Sequence, residues 1–336
     1  MTPAGSANGT VHPHGGGLTF RASLTEAMDD LLREDPRVLL LGEDVLDPYG
    51  GAFKVTRGLS GRYPGRVLAT PVSEAAIVGA ATGLAIGGLR PIAEVMFGDF
   101  ILLATDELIN HAAKFRAMYN DQVTVPLVVR APAGGGRAYG PTHSQSLEKH
   151  FLGVPGLKVV APTHLHDPGA LLRAAVADPD PVLFIEHKLL YPLELRPAEV
   201  HGTPYPTAVV RAGRGEPAVM LFAYGGGVRW CLPAMGRLAE AGIASTLCLP
   251  SRIDRFAAWP WWDLAGRPPA AVLVEEGTAG AGWTAEVAAQ LAEAGNPPVI
   301  RRVTGADDII PAAGHLEDAM LPSTDAVVAA ALALVR

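Results

Sequence analysis

Apolar positions along the chain follow two different spacings in turn. Residues 19–35, TFRASLTEAMDDLLRED, carry apolar side chains at helical spacing, whereas RVLLLGED at 37–44 is a short leucine-rich run stopped by Gly42. The alternation continues through 65–187, where the strand patterns GRVLATP, RPIAEV, VPLVVRAP, GLKVVAP and PVLFIEH are separated by helical patterns. Strands alternating with helices predict an α/β fold with a doubly wound, mostly parallel sheet.

A proline-rich stretch without periodicity, YPLELRPAEVHGTPYP, then interrupts the pattern, which restarts with PAVMLFAYGGG. We therefore predict two domains, as expected for a chain of 336 residues. We expect a disordered lead-in at 1–17, a first domain at 18–191, a linker at 192–206 and a smaller α/β domain at 207–336.

Composition excludes several classes of partner. The net charge of -7 gives no electrostatic reason to expect nucleic acid or an anionic membrane as a partner. The sequence has no uncharged apolar run of about 18 residues, so we predict no membrane span. Cys231 and Cys248 cannot form a disulfide framework, which favours a reducing cytoplasm. The N-terminus lacks the basic start and apolar core of a secretory signal.

One carboxylate, Glu74, stands at the head of an otherwise apolar helical stretch, AAIVGAATGLAIGG. Negative charge is favoured at a helix N-terminus, and the preceding Pro71 and Ser73 are typical of a helix start. The same carboxylate can instead be an acid held in a pocket. The pattern alone leaves both interpretations open.

The usual phosphate-binding motifs are missing from the sequence. It contains no G-x-x-x-x-G-K-[ST], and the glycines at 134–136 and 225–227 do not form a G-x-G-x-x-G that opens a helix. A chain of this architecture is then either not a nucleotide enzyme or shares its site with another subunit. The sequence favours the shared site.

Seven ordered blocks carry a family resemblance from about Leu18 to the C-terminus: LLLGEDV, GGAFKVTRGL, TPVSEAAIVGAATGLAIGGLRPIAEVMFGDF, VPLVVRAP, THSQSLE, PGLKVVAP and PVLFIEHKLLY. With these blocks the chain resembles the β subunit of thiamine-diphosphate-dependent 2-oxo acid dehydrogenases. That subunit belongs to the decarboxylating component of pyruvate, branched-chain 2-oxo acid and acetoin dehydrogenase complexes.

The resemblance implies a pyrimidine-binding domain followed by a transketolase-type C-terminal domain, within an α2β2 heterotetramer. In that family the α subunit holds the diphosphate and magnesium through a GDG motif. This chain has only GDF at 98–100, without the spacing of that motif. The implied partners are an α subunit that carries the motif, a second β chain, and a lipoyl acyltransferase or carrier protein.

Glu74 matches the family carboxylate that hydrogen-bonds a ring nitrogen of the cofactor's aminopyrimidine. Sharing a proton there favours the imino form of the exocyclic nitrogen, which then takes the proton from the thiazolium carbon. This chemistry needs a carboxyl that holds a proton near neutral pH, and an apolar surround favours the protonated form by desolvation. The resemblance therefore implies a catalytic and cofactor-binding role for Glu74.

Two further site residues follow from the resemblance. His143, in THSQ, is similar to the histidine that faces the thiazolium, orients the oxo acid and assists acyl transfer. Phe100 matches an aromatic residue that packs on the aminopyrimidine ring, although ordinary core packing would also explain it.

Arg137 and Tyr139 stand where pyruvate-type relatives have mostly small residues. A guanidinium can bind a carboxylate or phosphate of the substrate, and an exposed loop arginine is an equal alternative. Asp178 and Asp180, together with Ala175, lie where family members wrap backbone carbonyls around a potassium ion. A charged turn before a strand explains these acids equally well.

Other polar residues have weaker assignments. Glu43 and Asp44 line either a subunit contact or a solvated edge, and Glu275 with Glu276 forms a structural turn. The sequence assigns no partner to the remaining histidines of interest, which are His111, His164 and His166. The segment CLPSRIDRF replaces a leucine-rich family segment, which puts docking to the acyltransferase core in doubt.

The leading functional hypothesis is decarboxylation of a 2-oxo acid with transfer of the acyl unit to lipoamide. The alternative enzyme transfers a two-carbon ketol unit from a ketose phosphate or 2-oxo acid to a carrier protein in specialised metabolism. A non-catalytic scaffold is the third hypothesis, and the presence of Glu74 and His143 speaks against it.

Overall fold

The structure is a computed structural model, and it describes residues 17–196, 198–254, 258–293 and 295–335. The predicted lead-in lies, except for its last residue, outside the described residues. Two six-stranded sheets follow one another along the chain. The two-domain α/β prediction is therefore confirmed.

The first sheet is parallel throughout, with the strand order β2-β1-β3-β4-β6-β5. Its strands read as continuous apolar runs because helices cover both faces. The strands are β1 Val38–Gly42, β2 Val67–Ala69, β3 Arg90–Glu94, β4 Val128–Ala133, β5 Lys158–Val160 and β6 Val182–His187.

Five α-helices belong to this domain, one before β1 and four between strands: α1 Phe20–Glu34, α2 Leu59–Arg62, α3 Glu74–Ile86, α4 Ala113–Met118 and α5 Pro168–Ala177. Gly98–Ala104, Glu148–His150 and Lys188–Leu190 form 3₁₀ turns, and Glu107–Ala112 forms a π-helical turn before α4. Thr19 caps α1, since its hydroxyl accepts a hydrogen bond from the N–H of Ala22 at 3.2 Å. The apolar face of α1 packs against α5.

The helix that begins at Glu74 is apolar on all sides, which predicts a buried helix. One face does contact the rest of the chain and buries Ile77, Val78, Ala81 and Ala85. The opposite face is exposed and is composed of small residues, Ala75, Ala76, Ala80 and Gly83. The prediction of full burial is therefore wrong for the single chain.

The second sheet is mixed, with the order β12-β11-β9-β10-β8-β7. Its strands are β7 Glu199–His201, β8 Thr207–Ala212, β9 Val219–Phe222, β10 Ser245–Pro250, β11 Ala270–Thr278 and β12 Val299–Gly305. The first two strands run antiparallel to their neighbours at one side of the sheet. The predicted linker, 192–206, therefore contains β7, a strand of the second sheet.

Five helices complete this domain: α6 Val228–Glu240, α7 Ala258–Leu264, α8 Trp283–Ala292, α9 Gly314–Met320 and α10 Thr324–Val335. By length and apolar composition alone, Gly314–Val335 would be able to cross a membrane. The helix is interrupted between α9 and α10, however, and α10 buries Val327 and Ala331 against α6, β11 and β12. We therefore assign it to the core of the second domain.

The two domains share their apolar interiors. Phe184 of the first sheet and Leu249 of the second belong to one cluster of buried side chains, and Ile185 and Phe222 belong to another. Backbone hydrogen bonds also join β5 to the segment after β10: the N–H of Ala161 donates to the carbonyl of Ser251 at 2.7 Å. The second domain is thus fixed beside the first sheet.

Candidate active site at the carboxyl edge of the first sheet

The strand order of the first sheet changes between β1 and β3, because the chain passes from β1 to β2 on one side and from β3 to β4 on the other. In open parallel sheets, ligands bind beyond the carboxyl ends of the strands at such a point. Reactive and aromatic side chains follow the ends of β1, β2, β3, β4 and β6. We therefore take this edge as the candidate active site.

Two buried carboxyl groups lie at this change of strand order. Glu43 follows β1 and Glu74 begins α3, and their exposed fractions are 5% and 4%. Burial raises the pKa of Glu43, and the negative charge of Glu74 raises it further. One oxygen of Glu43, Oε1, has no hydrogen-bond partner within the described part of the chain. Among the same residues, no side chain forms a hydrogen bond with Glu74. The pair has spare hydrogen-bonding capacity where a ligand is expected.

Phe97, which follows β3, is the centre of an aromatic cluster with Phe53, Phe100, Tyr139 and His143. The His143 ring lies edge-on to Phe97 with ring centroids 4.8 Å apart, and it lies 5.1 Å from Phe100. The rings of Phe53, Tyr139 and Phe100 lie 5.7, 6.1 and 6.2 Å from Phe97. The structure thus brings three predicted site residues together, around one that the sequence analysis did not single out.

His143 belongs to a segment that follows β4, residues 134–146, which we call the glycine loop. Its carbonyl accepts a hydrogen bond from the ammonium of Lys188, a fully buried residue after β6. Burial lowers the pKa of Lys188 to about 8, against the opposing effect of nearby carboxylates such as Asp99. Asp99 also accepts hydrogen bonds from both the backbone and the side-chain amide of Gln145, each at 3.0 Å. Two side chains of the first domain, Lys188 and Asp99, thus hold the backbone of the glycine loop at His143 and Gln145.

Two carboxylates of the second domain hold the other end of the glycine loop. Glu276, on β11, accepts from the N–H of Gly135 at 2.5 Å, and Glu317, on α9, accepts from Gly136 and Ala138 at 3.0 and 2.6 Å. Burial alone would raise the pKa of Glu276, but the contacts with His187 and Gly135 hold it at about 2. The charge of this carboxylate is therefore used to bind the loop backbone.

His187, at the end of β6, explains why glycine occupies two nearby positions. Its Nε2 lies 2.8 Å from Oε2 of Glu276. Gly134 has a φ of +91°, and a Cβ there would lie 2.2 Å from the His187 Nε2; at Gly226 a Cβ would lie 2.3 Å from the same ring. The backbone of the glycine loop and of the second domain therefore lies so close to this histidine that neither position has room for a side chain.

Arg137 and Tyr139 lie at the exposed side of the aromatic cluster. The guanidinium carbon of Arg137 is 5.3 Å from the Tyr139 ring centroid and 5.6 Å from that of Phe53. Among the described residues, no carboxylate forms an ion pair with Arg137. The structure thus places an uncompensated positive charge beside the rings that contact His143.

Beneath the edge lies a buried charged triad, Glu94, Arg130 and Glu186, on β3, β4 and β6. Arg130 is completely buried; it donates to Glu94 at 2.5 Å and to both oxygens of Glu186 at 2.7 Å. Burial alone would lower the pKa of Arg130, but the two carboxylates raise it. The Tyr191 hydroxyl donates to Glu186 at 2.7 Å. The sequence analysis missed the triad, whose signal is a charged residue inside each of three apolar strand patterns.

We expect Arg130→Met to lower the free energy of unfolding by about 3–5 kcal/mol, because it leaves two carboxylates buried without their cation. Urea denaturation of the purified chain, followed by circular dichroism, measures this loss. The matched control is Arg62→Met, which breaks an exposed ion pair with Asp29 at 2.7 Å and should cost less than about 1 kcal/mol. Equal losses in the two variants would contradict the assigned role of the triad.

The predicted potassium residues lie elsewhere, at the amino end of β6. Lys158 forms ion pairs with Asp178 and, at 3.0 Å, with Asp180, and Arg116 pairs with Asp180 at 2.9 Å. The carbonyl of Ala175 accepts the N–H of Asp178 at 3.2 Å. Two basic side chains thus already neutralise these acids, and the potassium site stays a prediction.

Most of the remaining polar residues of interest have structural partners. Glu275 accepts from the N–H groups of Trp283 and Thr284 at 2.9 and 3.1 Å and so caps α8. His166 lies 3.2 Å from the carbonyl of Leu249, and His111 lies 3.2 Å from Glu107. His164, at 7% exposed, has an Nδ1 without a partner in the described chain.

A cavity of about 460 Å³ separates the glycine loop from the second domain. Hydroxyl groups of the loop line one wall, and apolar side chains after β12 line the other; the lining includes Thr142, Ser144, Ser146, Ile309 and Leu321. The cavity therefore lies behind the segment that carries His143.

Comparisons with known proteins agree with this architecture. The family model described as the transketolase pyrimidine-binding domain matches residues 16–194, and that of the transketolase C-terminal domain matches 208–327. A solved structure titled "Split gene transketolase, inactive beta4 tetramer" superposes with a TM-score of 0.73 at 20% identity, covering 95% of this chain and 99% of that one. This likeness shows the fold.

Three curated relatives are similar over most of their lengths. The acetoin:2,6-dichlorophenolindophenol oxidoreductase subunit beta of Cupriavidus necator is 36% identical, covering 94% of this chain and 96% of its own. The pyruvate dehydrogenase E1 component subunit beta-1 of Arabidopsis thaliana is 36% identical, covering 93% and 88%. The 2-oxoisovalerate dehydrogenase subunit beta of Bacillus subtilis is 38% identical, covering 82% and 84%.

Proposed function

Because the chain belongs to the family in which a transketolase pyrimidine-binding domain precedes a transketolase C-terminal domain, we propose that it is the β subunit of a thiamine-diphosphate-dependent 2-oxo acid dehydrogenase. The proposed reaction releases CO₂ from a 2-oxo acid and passes the acyl unit, as a thioester, to a lipoyl disulfide that takes up the two electrons. Similar β subunits are named for acetoin, pyruvate and 2-oxoisovalerate. The observation that carries the proposal is the buried carboxyl of Glu74 at the change of strand order.

The residues at this edge fit the ring end of thiamine diphosphate. When bound, the cofactor supplies a thiazolium carbon that adds to the oxo group and accepts the electrons released on decarboxylation. Glu74 offers a buried carboxyl that accepts no hydrogen bond from the described residues, and Glu43 Oε1, likewise without a partner in that part of the chain, lies in the same region. Phe97, Phe100 and His143 provide an aromatic wall. This chain carries no phosphate-binding motif, so the fit is to the ring end only.

The exposed surface beside Glu74 supports a site shared with a second polypeptide. The outer face of α3 is apolar but exposed, and Val72 and Leu103 beside it are 79% and 62% exposed. Apolar surface of this kind marks a protein contact. We therefore assign the diphosphate and its magnesium to an α subunit that covers this face, within an α2β2 assembly.

The side chains of this chain then have distinct tasks. Glu74 exchanges a proton with the ring nitrogen of the cofactor, and its burial keeps water away from that contact. His143 orients the oxo acid and assists acyl transfer to the acceptor. Lys188, Glu276 and Glu317 fix the glycine loop and so position His143.

Co-expression with candidate α chains tests the proposal. We expect the assembled complex, but not this chain alone, to decarboxylate a 2-oxo acid in the presence of thiamine diphosphate and magnesium. Release of CO₂ from pyruvate and from branched 2-oxo acids measures the activity. Activity of the isolated chain would contradict the shared site, and absence of decarboxylation by every α/β pair would contradict the function.

The second candidate function is transfer of a two-carbon ketol unit to a carrier protein. Arg137 favours it, because this exposed arginine forms no ion pair with any described carboxylate and a ketose phosphate needs a cationic partner. Including a ketose phosphate in the donor series distinguishes the two reactions.

We assign the protein to the cytoplasm, since both cysteines are buried free thiols.

A further inference from the structure

We propose that the glycine loop forms an anion subsite, so that this enzyme takes a donor with a second, distal anionic group. The group is a carboxylate or a phosphate at the far end of the 2-oxo acid, bound by Arg137. This inference rests on the proposed function and specifies the substrate class of the same site.

The position of Arg137 relative to His143 is the first support. Its guanidinium contacts the Tyr139 ring at 5.3 Å, the Tyr139 ring lies 6.1 Å from Phe97, and Phe97 lies 4.8 Å from His143. Two rings, Tyr139 and Phe97, thus connect the positive charge with the predicted catalytic histidine.

The pairing of nearby charges is the second support. Glu276 and Glu317, the acids of the second domain nearest to the loop, accept hydrogen bonds from Gly135, Gly136 and Ala138. Their oxygens are therefore engaged by backbone N–H groups rather than by the guanidinium. The charges of Asp99, Glu276 and Glu317 act on the buried Lys188, whereas Arg137 forms no ion pair within the described part of the chain. An incoming anion is therefore the partner that would compensate Arg137.

The stacking of Arg137 is the third support. The guanidinium lies over two rings, Tyr139 and Phe53, which restricts the side chain although it is exposed. A restricted guanidinium keeps its N–H groups available in a fixed plane for a carboxylate or phosphate. The chain thus presents a preformed cationic group at the mouth of the site.

The test uses the assembled α/β complex with thiamine diphosphate and ligands that lack the oxo group. Isothermal titration compares succinate and 3-phosphonopropanoate with propanoate, which has no distal charge. We expect at least one of the dianions to bind about 10-fold or more tightly than propanoate, with the gain lost in Arg137→Gln and partly kept in Arg137→Lys. The comparison of succinate with 3-phosphonopropanoate identifies the anionic group.

Arg214→Gln, which removes an exposed loop arginine of the second domain, is the matched control and should keep the preference. In parallel, the ratio of kcat/KM for 2-oxoglutarate over 2-oxobutanoate should fall about 10-fold or more in Arg137→Gln if succinate is preferred. Equal binding of the three ligands, or a preference that survives in Arg137→Gln, would overturn the subsite. Decarboxylation without a preference for dianionic donors would overturn the subsite but leave the proposed function standing. Absence of any decarboxylation would refute that function, and the titration would still report on the subsite.

Discussion

Glu74→Gln is expected to reduce thiamine-dependent decarboxylation by at least about 100-fold, because an amide retains the shape of the side chain but cannot exchange a proton with the cofactor ring. Assembly should be unaffected. The substitution removes a negative charge beside the buried Glu43 carboxyl and breaks no hydrogen bond with any described residue. Stability should therefore stay the same or rise slightly.

Two measurements separate catalysis from assembly in this variant. Hydrogen–deuterium exchange at the thiazolium carbon, followed by NMR in the loaded complex, reports directly on proton removal and should slow with turnover. Size-exclusion chromatography with the α chain reports on assembly. Glu74→Ala should give the same kinetic loss, with some additional cost from the cavity it leaves.

Glu148→Gln is the control for replacing a buried glutamate. Glu148 is 6% exposed, and burial raises its pKa to about 8, so it is largely neutral at pH 7 and an amide resembles it. We expect this variant to keep normal turnover. Normal deuterium exchange in Glu74→Gln would remove the central support for the proposed function.

The sequence predicted the parts of the site that depend on local pattern. The alternation of strand and helix patterns predicted a parallel sheet, which follows from spacing alone. The pattern around Glu74 predicted a helix start but left open whether its carboxylate caps the helix or lies in a pocket, and the family resemblance favoured the pocket. The identities of His143 and Phe100 as candidates came from the family resemblance, and the structure places both against Phe97.

The parts that the sequence did not predict depend on contacts between residues far apart in the chain. Glu317 binds the backbone of Gly136 across 181 positions, and Glu276 binds Gly135 across 141. No local spacing connects such residues, and an isolated glutamate in a helix pattern looks like solvated surface. The exposed face of α3 was missed for the opposite reason, because an all-apolar helix looks buried whether its own chain or a partner covers it.

His143→Ala is expected to reduce acyl transfer to lipoamide about 100-fold while the Kd for thiamine diphosphate changes by less than about threefold. The reason is position. His143 is half-buried and contacts Phe97 and Phe100, whereas Glu74, at the change of strand order, is the residue proposed to bind the cofactor ring. Removing the imidazole is therefore expected to slow acyl transfer to lipoamide more than it weakens cofactor binding.

An artificial electron acceptor distinguishes this role from a general loss of activity. Reduction of 2,6-dichlorophenolindophenol by the assembled complex bypasses the lipoyl acceptor, so His143→Ala should retain most of that rate while lipoamide-dependent transfer falls. His150→Ala, which removes an exposed histidine shortly after the same loop, should leave both rates unchanged. If both rates fall together in His143→Ala, the histidine acts before the transfer step; if neither falls, it has no part in catalysis.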